Sequence, residues 1–126
     1  MPDKTKIKIY IVDDDASLRQ ALEMLLLSTG MDVLTFETAE DFLDYEFRDH
    51  NACLITDIKM KGINGFELQQ KLTETGIKLP VIFLTAFDSK ESREKAKKGG
   101  AAGYFRKPVD DEALLDAIHW AISLES

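Results

Sequence analysis

The chain has 126 residues, 44% of them apolar and 31% charged, and carries a formal net charge of −7. This is the size of one ordinary domain, with enough apolar content to build a core, and it excludes an intrinsically disordered segment. The acidic balance argues against nucleic-acid or anionic-membrane binding through the surface at large, the single cysteine excludes an internal disulfide, and no apolar stretch approaches membrane-spanning length.

Residues 7–12 read as a first strand, because the run is strand-length and rich in Ile and Val. It ends on Asp13-Asp14-Asp15. Asp15 is assigned to a helix cap or to solvent ahead of a helix over 16–27, where Leu18, Leu22, Leu25 and Leu26 form an apolar stripe before Ser28-Thr29-Gly30. Residues 33–36 form a second strand with a less distinctive end, Glu37-Thr38. Thr38 and Asp41 resemble a capping box in front of Phe42 and Leu43, although Asp is a weaker third-position partner than Glu.

Residues 53–56 form a third strand. Cys53 is read as a small core hydrophobe, and the run drives straight into Asp57. Asn64-Gly65 would suit a hairpin turn, but the helical spacing of Phe66, Leu68 and Leu72 favours a third helix over 65–75. Residues 81–84 form a fourth strand, followed by Thr85-Ala86. Ser89 caps a fourth helix that reaches Lys98 and stops at Gly99-Gly100. Ala96 is its only clearly apolar residue, and Lys95, Lys97 and Lys98 make a solvated face where cations favour a helix C-terminus. Such a thinly anchored helix is easily displaced and suits a switch element. Residues 103–105 form a fifth strand leading to Lys107-Pro108. Asp110 caps the last helix, with Leu114, Ile118 and Ile122 in line. Trp120 lies near that stripe and is assigned to the core, with a partner surface as the second choice. His50 and His119 have no partner at metal-ligand spacing and are read as surface or half-buried residues and not as ligands.

Five strand–helix units in alternation predict one α/β domain, a doubly wound parallel sheet with right-handed crossovers, running from about Lys6 to the end. The apolar character of several strands fits a sheet covered on both faces. In such sheets the functional crevice lies at the carboxyl ends of the strands. Asp13-Asp14, Asp57, Thr85 and Lys107 all follow strands. If the first and third strands are neighbours, three carboxylates converge. Two of them about 4 Å apart would repel by about 4 kcal/mol at an effective dielectric of ~20. Such a cluster favours a hard cation such as Mg²⁺. Carboxylates, Mg²⁺, a lysine and a hydroxyl together make a phosphoryl-transfer site with Asp57 as nucleophile, and the metal and lysine would compensate its charge.

The stretches IYIVDDD, LITDIKMKGINGFEL, PVIFLTAF and GYFRKP resemble the receiver domain of bacterial two-component response regulators, in family order and spacing over essentially the whole chain, and most closely the FixJ-type subgroup. The resemblance implies a flavodoxin-like five-stranded parallel sheet, order 2-1-3-4-5, with five helices. It implies that Asp13 and Asp14 hold Mg²⁺ (with Mn²⁺ as a substitute), that Asp57 accepts the phosphoryl group and also binds the metal, and that the Lys59 backbone carbonyl completes the ligands. It gives Thr85 and Tyr104 switch roles, Ala86 an access role, and Lys107 contact with the phosphoryl group next to a cis Lys107-Pro108 bond. Phe87, with Lys59, is expected to flank the phosphoryl position and limit water access. One position departs: the family usually has proline four residues after the phosphoacceptor, and Lys61 stands there, so a looser loop is expected.

The implied function is a phosphorylation-dependent switch and not a turnover enzyme, although it catalyses its own phosphotransfer and slow autodephosphorylation. A sensor histidine kinase is the implied donor. The fourth helix, fifth strand and fifth helix are the expected partner face, with phosphorylation-linked homodimerisation through it. A cytoplasmic location is expected, since the polar residues 1–6 carry no targeting signal. Residues 1–126 are read as a single receiver domain without its effector, so DNA would be reached only through a domain absent from this chain. Three other readings fit less well. An aspartyl phosphatase needs an acid/base aspartate where Lys59 stands. A nucleotide-binding domain lacks GxxxxGK[ST] and GxGxxG after every strand. A degenerate receiver would lack groups that are all present.

Overall fold

The computed structural model describes residues 6–124; the polar start at 1–5 and the last two residues lie outside it. The elements alternate as β1 (Lys8–Val12), α1 (Ala16–Ser28), β2 (Asp32–Phe36), α2 (Ala39–Asp44), β3 (Ala52–Asp57), α3 (Gly65–Glu74), β4 (Val81–Thr85), α4 (Lys90–Lys98), β5 (Gly103–Arg106) and α5 (Asp111–Ser123). All strand pairs are parallel, and the order is β2-β1-β3-β4-β5, as the resemblance implied.

The strand sequences explain the layering. Successive side chains point to opposite faces. Tyr10, Val12, Leu54, Val81 and Phe83 therefore pack on one side with Phe42, Leu68, Leu72 and Ala96 from α2, α3 and α4. Ile9, Ile11, Cys53, Ile55, Ile82 and Leu84 pack on the other with Leu22, Leu26, Leu114 and Ile118 from α1 and α5. The central strands β3 and β4 are buried throughout, which is why they read as unbroken apolar runs. The edge strands β2 and β5 are only half-buried or exposed.

The caps follow the sequence signals. Asp15 accepts from the Ser17 and Leu18 amides, Ser89 from the Ser92 amide and Asp110 from the Ala113 amide. Thr38 accepts from the Asp41 amide, the forward half of a box. The full capping box is at α3, where Asn64 accepts from the Glu67 amide and Glu67 from the Asn64 amide. The sequence offers Asn64-Gly65 as a hairpin turn and rejects it for a helix from about residue 65, without naming Asn64 as the cap.

Trp120 corrects an expectation. It is 55% exposed and not in the core. Leu114, Ile118 and Ala121 face inward, and a residue two places after Ile118 is carried about 200° round the helix, away from them. His50 and His119 are exposed, as expected, and Cys53 is buried. Among the described residues no helix is long and apolar enough to cross a membrane.

Candidate functional site

The parallel register builds the site. Val12 pairs with Thr56, so the residues that follow, Asp13 and Asp57, emerge side by side at the carboxyl ends of the neighbouring strands β1 and β3. Thr85 pairs with Arg106, so Lys107 emerges one residue beyond the end of β5. Its side chain returns across the sheet end, and Nζ donates to Asp13 Oδ2 at 2.9 Å and to Asp57 Oδ2 at 3.1 Å. The other carboxylate oxygens are also engaged: Asp13 Oδ1 accepts from the Asp15 amide at 2.8 Å, and Asp57 Oδ1 from the Ile58 amide at 2.7 Å. Arg19 Nη1 donates to the Asp13 carbonyl, which fixes the turn into α1. The Lys107-Pro108 bond is cis.

Asp14 is exposed, yet one carboxylate oxygen from each of Asp13, Asp14 and Asp57 lies within 4.8 Å of the others. Among the described residues, one ammonium, that of Lys107, bonds two of these three carboxylates. Asp13 and Asp57 are both nearly buried, at 2% and 8% exposure, so water screens them poorly. The electrostatics follow. Burial pushes the Asp57 carboxyl above its ordinary range; the Lys107 hydrogen bond opposes this, and the Asp13 charge adds to it. For Lys107 burial works against the ammonium, but the hydrogen bonds to Asp13 and Asp57 outweigh it and the net shift is upward. The two directions are compatible: one cation shared between two anions is held firmly charged, while the anions remain in excess. The all-oxygen donors and the uncompensated negative charge fit a hard divalent cation. Lys59, whose carbonyl was expected to contribute, lies two residues beyond Asp57 with its side chain exposed.

Thr85 is buried, and its Oγ1 accepts from the Phe87 amide at 3.0 Å. Ala86 is exposed next to it. Phe87 is 63% exposed, and the Lys59 ammonium sits 4.4 Å from its ring centroid, so these two side chains pair at the site's rim as a cation–π contact. Tyr104 is half-buried on β5. Its hydroxyl donates to Asp88 Oδ1 at 3.1 Å, and burial together with the Asp88 carboxylate makes that hydroxyl harder to ionise. Asp88 went unnoticed in the sequence, because it follows the apolar run by three residues and its partners lie 5 and 16 residues further on.

The loop from Ile58 to Asn64 carries Lys61 at the departing position. It is tied by the Gly65 amide to the Ile58 carbonyl at 2.9 Å, by Glu40 to the Ile63 amide and by the Asn64–Glu67 box, so the expected looseness meets three tethers. Gly65 is required for close approach: a Cβ there would strike the Asp57 carbonyl oxygen and lie 3.0 Å from the Ile58 Cα. Gly65→Ala is therefore expected to cost about 1–3 kcal/mol of stability and to weaken divalent-cation binding, read by thermal unfolding with and without Mg²⁺. Unchanged values for both would contradict the packing.

A single parallel sheet in this order, with an acidic triad and a lysine at its carboxyl end, defines a receiver-type domain. A family model for the response regulator receiver domain matches residues 9–119, and the chain belongs to that family. It is 42% identical over 116 residues to the transcriptional regulatory protein TdiR of Thauera aromatica, covering 92% of this chain and 51% of that protein. It is 35% identical over 112 residues to the transcriptional regulatory protein FixJ of Azorhizobium caulinodans, covering 89% of this chain and 53% of that one. The chain thus spans about half the length of these curated relatives. Among solved structures, response regulator StyR superposes with a TM-score of 0.87 at 39% identity, over 95% of this chain and 61% of that one. FixJ-N superposes with 0.85 at 31% identity, over 98% and 96%. These relatives bear out the receiver assignment and the FixJ-type resemblance.

Proposed function

We propose that this chain is a phosphorylation-dependent signalling switch in which Asp57 accepts a phosphoryl group from a phosphohistidine of a sensor histidine kinase. The observation that carries this is the nearly buried Asp57 carboxylate, bonded by Lys107 and within ligand reach of Asp13 and Asp14. An Asp57 oxygen attacks phosphorus, the O–P bond forms as the N–P bond to the donor imidazole breaks, and the imidazole leaves with the electron pair. Lys107 Nζ would hold the charge on the transferring oxygens, and the Thr85 hydroxyl would donate to one of them afterwards. Asp13, Asp14, Asp57 and the Lys59 carbonyl would hold Mg²⁺, or Mn²⁺ in its place, which when bound supplies charge neutralisation at the phosphoryl group. The protein is then a signalling module whose only chemistry is its own phosphorylation and slow dephosphorylation, and not an enzyme with an external product.

In this reading Tyr104 follows Thr85, and the face of α4, β5 and α5 changes its affinity for partners. A homodimer through that face, a cytoplasmic location, and transcriptional output through an effector domain elsewhere in a longer protein belong to the same proposal. TdiR and FixJ are called transcriptional regulatory proteins, which supports that output. Beryllofluoride with Mg²⁺ should move the amide resonances of residues 90–107; unchanged resonances would contradict the switch. Phe87→Ala is expected to shorten the acyl-phosphate lifetime about two- to tenfold, since opening the site to water removes less than a full barrier contribution of 1.4 kcal/mol. A lifetime equal to wild type would remove Phe87 and its Lys59 contact from the water-access role.

A further inference from the structure

Two further hydrogen bonds meet in the short segment after Thr85. Asp88 Oδ1 accepts from the Tyr104 hydroxyl at 3.1 Å, and its Oδ2 accepts from Arg93 Nη1 at 2.7 Å. The Asp88 side chain is only 20% exposed, so this is a partly desolvated, charge-assisted pairing and not a loose surface contact. One carboxylate therefore joins the loop after β4 to β5 and to the first turn of α4. The helix has few other holds. Ala96 is its one buried residue, Gln69 Nε2 donates to the Gly99 carbonyl at its far end, and the Lys95 ammonium lies over the Phe66 ring. Thr85 Oγ1 is meanwhile engaged with the Phe87 amide, one residue before Asp88.

We propose that Asp88 is a positioning residue, a latch that holds Thr85, Tyr104 and α4 in the arrangement described here and sets the bias against the phosphorylated one. The inference rests on the receiver reading and names how its site is regulated. Thr85 Oγ1 holds the Phe87 amide, so a movement of Thr85 toward Asp57 that carries Phe87 with it draws the adjoining Asp88 carboxylate away from Tyr104 and Arg93. The strength of those two bonds is then part of the free energy that phosphorylation must overcome, and removing them shifts the population before any phosphoryl group arrives.

The test compares wild type with Asp88→Ala, Asp88→Asn and Arg93→Ala. It reads initial phosphoryl uptake from acetyl phosphate with Mg²⁺, and the amide positions of residues 90–107 without phosphate. Asp88→Ala, which removes both bonds, should raise the uptake rate at least about three- to tenfold, the net worth of one ordinary hydrogen bond. It should also move the amides along the line from the wild-type to the beryllofluoride positions. Asp88→Asn keeps an acceptor for the Tyr104 hydroxyl and should fall between. Arg93 is 54% exposed, so Arg93→Ala will fold and should move the same way by less. Uptake within twofold of wild type in both alanine variants, or amide shifts off that line, would overturn the latch while leaving the receiver reading intact. A wild type that neither takes up phosphate nor responds to beryllofluoride would overturn that reading, and the latch with it.

Discussion

Replacing Asp57 with asparagine is expected to make the metal-free protein more stable while removing its chemistry. The carboxylate is nearly buried beside Asp13, and burial raises its pKa in the fold above the ordinary value of 3.8. A raised carboxyl pKa means the folded state binds the proton more tightly than the unfolded state does. Stability is therefore lost as pH rises from the unfolded value through the folded one. Asparagine keeps the shape and hydrogen-bonding capacity but removes the charge, leaving Lys107 and Asp13 as a simple pair. A gain on the order of 1 kcal/mol, or several degrees in Tm, is expected in chelator-treated protein. The gain should shrink as pH is lowered toward the ordinary carboxylate range. Added Mg²⁺ should reverse the ranking, because ligand binding stabilises wild type more than the variant. A variant less stable than wild type at neutral pH without metal would show that the Lys107 bond, and not desolvation, dominates at Asp57.

Lys107→Met is expected to act in the opposite direction. It leaves Asp13 and Asp57 adjacent, nearly buried and without the ammonium that pairs with both. Removing one partner of a buried ion pair costs about 3–5 kcal/mol, because the remaining charge is unpaired. That would bring a domain of ordinary stability close to unfolding in chelator. Divalent cation should restore a large part of the loss by taking over the lysine's charge. The Lys107 pKa is raised in the fold, so its stabilisation is complete below the unfolded value of 10.5 and is lost only as pH rises through the folded one. The wild-type advantage over Lys107→Met should accordingly be flat across neutral pH and fade only in strong alkali. Urea unfolding at several pH values, with and without Mg²⁺, reads both effects. A loss below about 1 kcal/mol in chelator would place this contact with surface ion pairs.

The sequence made the strands legible because β1, β3 and β4 are buried on both faces and so read as apolar runs, and the residues that end them are polar for a reason. Alternation alone could not order the strands, since many doubly wound sheets share it; the order came from the motifs, and the observed register then explained why Asp13 and Asp57 meet. Three features escaped. Asn64 was weighed as a turn residue because Asn-Gly is a strong hairpin signal, although Glu67 stood at the capping-box position. Trp120 reads as core because it lies near the apolar stripe of the last helix, against an angular position that points it outward. Asp88 carries no local signal, because its importance arises only when β5 and α4 fold against it.

The most direct test of the account is intact mass after incubation with acetyl phosphate, with and without Mg²⁺, on wild type and Asp57→Asn. The account predicts the gain of one phosphoryl group in wild type, dependent on Mg²⁺ and absent from the variant. An equal gain in Asp57→Asn would contradict Asp57 as the acceptor, and a gain that ignores Mg²⁺ would contradict the acidic triad as the metal site.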